Sequence, residues 1–123
     1  MPDPEPMEPT SLQSEITKSF GSVWRRYSDE QPSDAQTEVE GNVVRCVLTD
    51  AVGGFNKGMT AAATGEDPSP ERPLTEASYR RDAIAAVART TRRRVLAFVS
   101  NHDAKTDVAR EVFILEPERR RRP

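Results

Sequence analysis

The segment from Val95 to Pro117 constrains the fold of this chain more than any other part of the sequence. Two apolar runs, Val95 to Val99 and Val112 to Leu115, flank a polar stretch that is rich in turn-forming residues. This pattern predicts a β-hairpin with a long loop, because turn formers between two apolar runs mark a reversal of the chain. The turn formers in this loop are Asn101, Asp103 and Asp107.

The upstream sequence predicts an amphipathic helix and another hairpin. Apolar residues recur at steps of three and four over about residues 11 to 28, the period of a helix with one buried face. Gly41 and Asn42 then form a two-residue turn between an alternating strand and a β-branched run from Val43 to Leu48. Thr75 is a candidate N-cap for a second helix that leads into the downstream hairpin. The predicted fold class is α+β, in the order helix, strand, strand, helix, strand, strand, with two helices on one face of an antiparallel sheet.

Composition sets the expected domain limits. At 123 residues and 13.7 kDa the chain has room for one small domain, which we place at residues 10 to 117. Residues 1 to 9 alternate proline with acidic residues and are predicted to be a disordered lead, and residues 118 to 123 form a basic, arginine-rich tail. Glycine, proline and charge between residues 51 and 73 predict a flexible loop rather than a core element.

The same patterns predict a core whose members are large and apolar. We expect these side chains to be largely buried: Phe20, Trp24, Leu48, Ile84, Val87, Phe98 and Ile114.

The sequence predicts a cytoplasmic protein that does not insert directly into a membrane. No window approaches the roughly 20 apolar residues that a membrane span requires, and no basic and apolar leader opens the chain. Cys46 is the only cysteine, so it cannot form an internal disulfide. It lies in an apolar strand, which favours a small core residue over a reactive thiol.

The succession of these elements resembles the MpsC-like family, bacterial domains associated by name with a sodium-translocating, membrane-potential-generating system. The resemblance covers about residues 11 to 117 and depends on the segments FVS (98 to 100), HDAKTD (102 to 107) and VFILE (112 to 116). The chain departs from the family pattern at AVGGFNKGM, and at Arg92, where a helix-ending glycine is expected. The resemblance implies the α+β fold and an accessory role linked to a membrane ion-transport system. It transfers no catalytic residues.

Few side chains in the sequence suggest chemistry. His102, Asp103 and Asp107 fall within one short loop and could supply one nitrogen and two carboxylates to a divalent metal. The same residue types are common turn formers, so we predict no metal, no cofactor and no enzymatic activity. The GGFNKG segment lacks the spacing of a phosphate-binding loop and is interpreted as a connector. A metal-dependent or thiol enzyme stays the third hypothesis for the chain.

Arginines concentrate around the second predicted helix and could neutralise phosphates. Together with the arginine tail from Arg119 to Arg122, they support an alternative function as a nucleic-acid-binding module. With His102, Asp103 and Asp107 they complete the candidate interaction residues: Arg80, Arg81, Arg89, Arg92, Arg93 and Arg94.

The run VFIL, residues 112 to 115, is apolar on both sides of its strand. A sheet with one solvated face should alternate, so either the second face is covered or an edge meets another subunit. We therefore expect a non-enzymatic accessory or regulatory interaction domain that forms a homodimer. One side of the strand should face the helices and the other the partner, but the sequence does not say which.

Overall fold

The computed structural model describes residues 9–64 and 75–117. The predicted tail and almost all of the predicted lead lie outside these residues, as do residues 65 to 73 of the predicted 51 to 73 loop. The described elements are α1 (Pro9–Tyr27), β1 (Asp34–Glu40), β2 (Val43–Thr49), α2 (Val52–Thr64), α3 (Glu76–Thr91), β3 (Val95–Asp103) and β4 (Val108–Leu115).

The predicted α+β fold class is confirmed. The four strands form one antiparallel sheet in the order β1-β2-β4-β3, so β2 and β4 lie at its centre and β3 is an edge strand. Each hairpin follows a helix along the chain, α1 before β1 and β2, and α3 before β3 and β4. The sheet therefore joins two helix–hairpin units through the antiparallel pairing of β2 with β4.

Local signals at two predicted boundaries work as expected. Gly41 has a φ of 60°, a left-handed conformation that glycine adopts without steric cost, and it turns β1 into β2. Thr75 caps α3: its side chain accepts from the Ser78 backbone N–H, and the Ser78 hydroxyl accepts from the Thr75 N–H. This reciprocal pair satisfies two backbone donors at the start of the helix.

The second hairpin has a tighter loop than predicted. Its strands extend to Asp103 and from Val108, so only residues 104 to 107 connect them. Asp103 Oδ1 accepts from the Lys105 N–H at 2.9 Å, which is the turn-forming behaviour that the sequence indicated. Asn101 belongs to β3 rather than to the loop.

The prediction of a flexible loop from residue 51 is wrong for residues 52 to 64, which form the helix α2. Its glycines, which argued against a core element, are packing residues. A Cβ on Gly58 would overlap the Tyr27 carbonyl oxygen, and one on Gly54 would lie 2.8 Å from Ser28 Oγ. The four-residue spacing of these glycines lets α2 approach the end of α1 closely, and Phe55 between them is buried.

The core lies between the sheet and the helices and contains every aromatic side chain of the protein. Phe20, Trp24, Leu48, Val87 and Phe98 are buried as predicted. Ile84 is only partly buried, and the prediction that Ile114 is a core residue is wrong, because it lies on the other face of the sheet and is half-buried. The buried aromatic residues are Phe20, Trp24, Tyr27, Phe55, Tyr79, Phe98 and Phe113.

The alternation along β4 settles which side of the VFIL strand faces the helices. Phe113 and Leu115 have no exposed surface, whereas Val112 and Ile114 are half-buried. Since alternate residues point to opposite faces, the first pair faces the helices and the second lies on the open face of the sheet. In the described part of the chain, no helix has the length and apolar character needed to span a membrane.

Candidate functional site

A row of polar side chains crosses the helix-covered face of the sheet. Thr37 on β1 pairs with Cys46 on β2, Cys46 pairs with Glu111 on β4, and Glu111 pairs with Ser100 on β3. All four lie at one level of the sheet, and α1 adds Thr17, whose hydroxyl is 2.7 Å from that of Thr37. Such a row is unusual in an apolar core, because each polar group must find a partner inside the protein.

Glu111 is the centre of this arrangement and has no exposed surface. Its Oε2 accepts from the Tyr79 hydroxyl at 2.5 Å. Its Oε1 accepts from the Ser100 hydroxyl at 2.7 Å and lies 3.1 Å from His102 Nε2. A buried carboxylate is tolerated only when donors surround it, and three side chains supply them here.

The local structure explains why these side chains converge. Glu111 alternates with Ala109 and Phe113 on β4, so it points towards the helices. Ser100 and His102 are two residues apart on β3 and share that face. Tyr79 lies in the first turns of α3, directly after the capping box that fixes the start of this helix.

The proton positions in this cluster are assigned from its hydrogen-bond contacts. Burial, followed by the neighbouring Glu111, raises the pKa of Tyr79 far above its usual value, so the phenol keeps its proton and donates it. We assign the Nε2–H tautomer to His102, because an unprotonated Nε2 would set its lone pair against Glu111 Oε1. The hydroxyl of Ser100 is also turned inward, towards the same oxygen.

Cys46 is a core residue of this row, as the sequence predicted. Burial raises the pKa of its thiol to about 12, only partly offset by the hydrogen bond with Thr37, and the charge of Glu111 raises it further. The thiolate is the nucleophilic form, so this cysteine is an inert thiol near neutral pH.

A cleft of about 360 Å³ opens beside the polar row. Phe55 and Tyr79 form an aromatic wall with ring centroids 4.9 Å apart, and Ser100 and His102 contribute the polar side of the cleft. The only tryptophan, Trp24, lies behind it with its ring centroid 5.5 Å from that of His102. The full lining is Phe55, Asn56, Glu76, Tyr79, Arg80, Ser100 and His102.

This geometry differs from a Ser-His-acid catalytic triad. In a triad the histidine uses one ring nitrogen for the serine and the other for the acid. Here Ser100 and Glu111 both lie at Nε2 of His102, each at 3.1 Å, and the serine donates its proton directly to the carboxylate. The arrangement orients protons towards Glu111 and leaves hydroxyl lone pairs beside the cleft.

The structure separates the three residues of the candidate metal loop. His102 turns to Glu111, Asp103 closes the turn between β3 and β4, and Asp107 accepts from the Gly53 N–H at the start of α2. Among the residues the structure describes, no group of three His, Cys, Asp or Glu side chains could hold a metal ion.

Two of the candidate arginines are held by backbone carbonyls. Arg80 lies over the Phe98 ring and donates to the Phe98 carbonyl, and Arg93 donates to the Glu116 carbonyl at 3.0 Å and to the Gly41 carbonyl at 3.3 Å. Arg92 occupies the left-handed C-cap of α3, with a φ of 58°. All of the candidate arginines except Arg93 are exposed.

The sequence indicates His102 and Arg80 as candidate residues but not Glu111, Ser100 and Tyr79, which complete the polar cluster around His102. A signal for Glu111 exists in the sequence: it is an acidic residue at an inward position of an alternating strand, between Ala109 and Phe113. A charge at such a position needs buried donors. Tyr79 and Ser100 carry no comparable local signal, since only the fold brings them to the carboxylate.

No family model matches the chain, and searches of curated proteins and of solved structures find no match either.

Proposed function

We propose that this protein is a non-enzymatic interaction domain of the cytoplasm that forms a homodimer through the open face of its sheet. The observation that carries the proposal is the uncovered apolar surface on β4 and β3. The exposed fraction of Val99 is 58% and that of Leu96 is 53%, the two large apolar side chains most open to solvent in the described part of the chain. Exposed apolar surface of this kind marks interaction sites.

The open face has an apolar half and a charged half. In the apolar half, Ala97 pairs with Ile114 and Val99 pairs with Val112, and Val43 of β2 continues this surface beside Ile114. In the charged half, β1 presents the outward residues Gln36, Glu38 and Glu40, and Arg45 lies opposite Glu38. An apolar centre with a polar rim is the usual composition of a protein interface.

A second copy of the chain suits this face as the partner. Two-fold packing brings the same patch of both copies together, so the Val99, Val112 and Ile114 side chains of one protomer meet those of its partner. The acidic β1 then stays in water at the rim. Arg45 and Arg110 border the apolar half, and their long side chains can reach carboxylates at the rim of the partner.

Pairing through the edge of β3 is a weaker alternative for the dimer. The side chain of Arg80 donates to the Phe98 carbonyl at 3.1 Å, in the middle of that edge strand. A charged side chain over an edge blocks the addition of another strand. Face-to-face packing leaves this contact intact.

Sedimentation velocity over a range of protein concentrations tests the dimer. The wild-type chain should sediment as a dimer, and Val112→Lys should sediment as a folded monomer, because a lysine at the centre of the interface would be buried without a partner. Gln36→Lys, on the charged half of the same face, is the matched control and should leave the dimer unchanged. A wild-type chain that is monomeric at every concentration would contradict the proposal.

The MpsC-like resemblance supports a further partner, a protein of a membrane ion-transport system. Such a partner would bind the dimer, with this protein as the accessory subunit of the transport system. Retention of candidate transporter subunits by the purified wild-type protein, and not by the Val112→Lys monomer, tests this part of the proposal.

The nucleic-acid alternative has less support. Stacking on bases requires exposed aromatic rings, and all seven aromatic side chains of the chain are buried. Two of the six helix-associated arginines, Arg80 and Arg93, are held by backbone carbonyls. Salt-dependent retention on heparin would favour this alternative over the interaction domain.

A further inference from the structure

The cleft beside Glu111 presents acceptors on its polar side. Tyr79, Ser100 and His102 all direct a proton inward to the carboxylate of Glu111. Their remaining hydrogen-bonding capacity is therefore that of acceptors: the lone pairs of the two hydroxyl oxygens and, in the tautomer assigned to His102, that of Nδ1. A buried negative charge lies directly behind these acceptors. This surface selects a group that donates several hydrogen bonds and carries positive charge, such as a primary ammonium.

Arg80, at the rim of the cleft, has the opposite character: it is a positively charged hydrogen-bond donor. Its guanidinium stacks 5.0 Å from the centroid of the Phe98 ring, and its Nη2 donates to the Phe98 carbonyl. One donor position is used in this way, and the guanidinium has further N–H groups for a ligand. Because the stacked side chain is already held in place, binding a carboxylate costs little additional side-chain entropy.

The charges of the cleft exclude ligands with only one of these groups. A simple anion would face the carboxylates of Glu76 and Glu111, and a simple cation would face Arg80. A zwitterion satisfies both ends. The aromatic wall of Phe55 and Tyr79 can then contact an apolar part of the same molecule, and the volume of about 360 Å³ suits a molecule of amino-acid size.

From this arrangement we infer that the cleft between α2, α3 and β3 binds a free amino acid or a closely related zwitterion. The ammonium group contacts Ser100, His102 and Tyr79 in front of Glu111, and the carboxylate contacts Arg80. The site lies on the helix-covered side of the sheet, away from the open face, so ligand binding is independent of the proposed dimer interface.

Titration of the full chain with the proteinogenic amino acids tests the inference, with calorimetry and the fluorescence of Trp24 as readouts. Trp24 is the only tryptophan, and its ring contacts both His102 and Phe55, so an occupied cleft should change its emission. At least one amino acid should bind saturably at concentrations up to about 10 mM. Its analogues that lack only the amino group, or only the carboxylate, should bind at least tenfold more weakly.

Variants of the cleft locate the binding site. Ser100→Ala removes an acceptor and Arg80→Met removes the guanidinium while keeping an apolar side chain over Phe98. Each should weaken binding by at least tenfold. Arg81→Met is the matched control: the neighbouring arginine is exposed and lies outside the cleft lining, and its replacement should leave the affinity unchanged.

Three outcomes would overturn the inference: no saturable binding of any amino acid, equal binding of an analogue that lacks one charged group, or equal losses in Arg80→Met and Arg81→Met. The Val112→Lys variant should bind the ligand like the wild type. A monomeric wild-type protein would therefore not affect the binding result at this cleft. Equally, a cleft that binds no amino acid would not affect the dimer proposal.

Discussion

At the residue scale, Gly58 lies where α2 touches the end of α1. A Cβ at this position would overlap the Tyr27 carbonyl oxygen and lie 3.1 Å from the Asp29 nitrogen. Both atoms belong to the backbone and cannot move without displacing the end of α1. The requirement for glycine here is steric, because residue 58 lies inside a helix, where glycine is otherwise unfavourable.

Gly58→Ala should lower the free energy of unfolding by at least about 2 kcal/mol, because overpacking against a fixed backbone outweighs the gain in helix propensity. Gly21→Ala in α1 is the matched control. A Cβ there meets nothing within 4 Å, so this variant should be more stable than the wild type, by up to about 1 kcal/mol. Urea unfolding of both variants measures the difference. Equal shifts in the same direction would refute the close approach of α2 to α1.

Cys46 makes the free energy of unfolding depend on pH in the alkaline range. Burial raises the pKa of the folded thiol from 9.0 to about 12, so the unfolded chain loses this proton first. The contribution of Cys46 to stability is fully present below pH 9 and is lost as the pH rises through 12. Between these two pH values, Cys46 should lower the free energy of unfolding by about 4 kcal/mol. Tyr79 acts in the same direction, since its pKa is also raised.

Unfolding free energies at several pH values above 9 test this linkage. The wild type should lose stability steeply with rising pH, and Cys46→Ala should show a shallower loss, because only Tyr79 then contributes. In the same range, alkylation of the folded protein should be slow, and urea should make the thiol reactive. A Cys46→Ala profile parallel to that of the wild type would show that the thiol does not titrate differently in the two states.

The individual residues of the candidate site explain why the sequence predicts only part of it. His102 is the only histidine and Arg80 belongs to a cluster of arginines, and both features are visible in the sequence. Ser100 and Tyr79 are ordinary residues whose role depends on the register of β3 with β4 and on the position of α3. Spatial proximity of residues 79, 100 and 111 is a property of the fold, so local patterns cannot reveal it.

At the element scale, the start of α2 is held by a residue of the turn between β3 and β4. Asp107, in the turn between β3 and β4, accepts from the Gly53 N–H at 2.9 Å with its side chain, and its carbonyl accepts from the Ala51 N–H at 3.0 Å. A carboxylate at a helix N-terminus satisfies a free donor and opposes the positive end of the helix dipole. The cap comes from a residue more than fifty positions away in the chain.

Asp107→Gly should lower stability by about 1 kcal/mol by removing this cap. Glycine is the informative replacement because Asp107 has a φ of 60°, which glycine adopts without strain. Asp107→Asn keeps an acceptor and tolerates the same backbone conformation, so it should lose less. Hydrogen exchange at Gly53 should accelerate in the glycine variant and change little in the asparagine variant. Unchanged exchange in both would remove Asp107 as a cap of α2.

The elements that the sequence predicted correctly are those whose signals are local. The helix α1 has a strong apolar period, the first hairpin has Gly41 at its turn, and Thr75 caps α3. The helix α2 has none of these signals, and its glycines lower its intrinsic helix propensity. Its stability depends on tertiary contacts with Tyr27 and Asp107, which override propensity and are invisible to a pattern read along the chain.

At the scale of the whole molecule, the sheet has two unequal faces. The helices cover one face and bury its aromatic core, and the other face carries valine and isoleucine beside arginine and glutamate. The sequence indicated that VFIL is apolar on both sides but could not say which side meets the helices. That assignment depends on the register of β4 with β2, in which Phe113 pairs with Val44 and Ile114 with Val43.

The two faces predict opposite effects for the same substitution at neighbouring positions. Phe113→Lys places a charge in a fully buried site among Phe20 and Phe98, and the loss of the aromatic contacts and the unpaired ion should unfold the domain. Ile114→Lys places the charge on the open face, where the ammonium group can reach water, so the domain should stay folded. Circular dichroism and thermal unfolding of both variants measure the difference, with Gln36→Lys as a control for the added charge. A folded Phe113→Lys variant, or an unfolded Ile114→Lys variant at low protein concentration, would mean that the strand faces the opposite way. The sheet would then present its aromatic residues, rather than its aliphatic ones, to a partner.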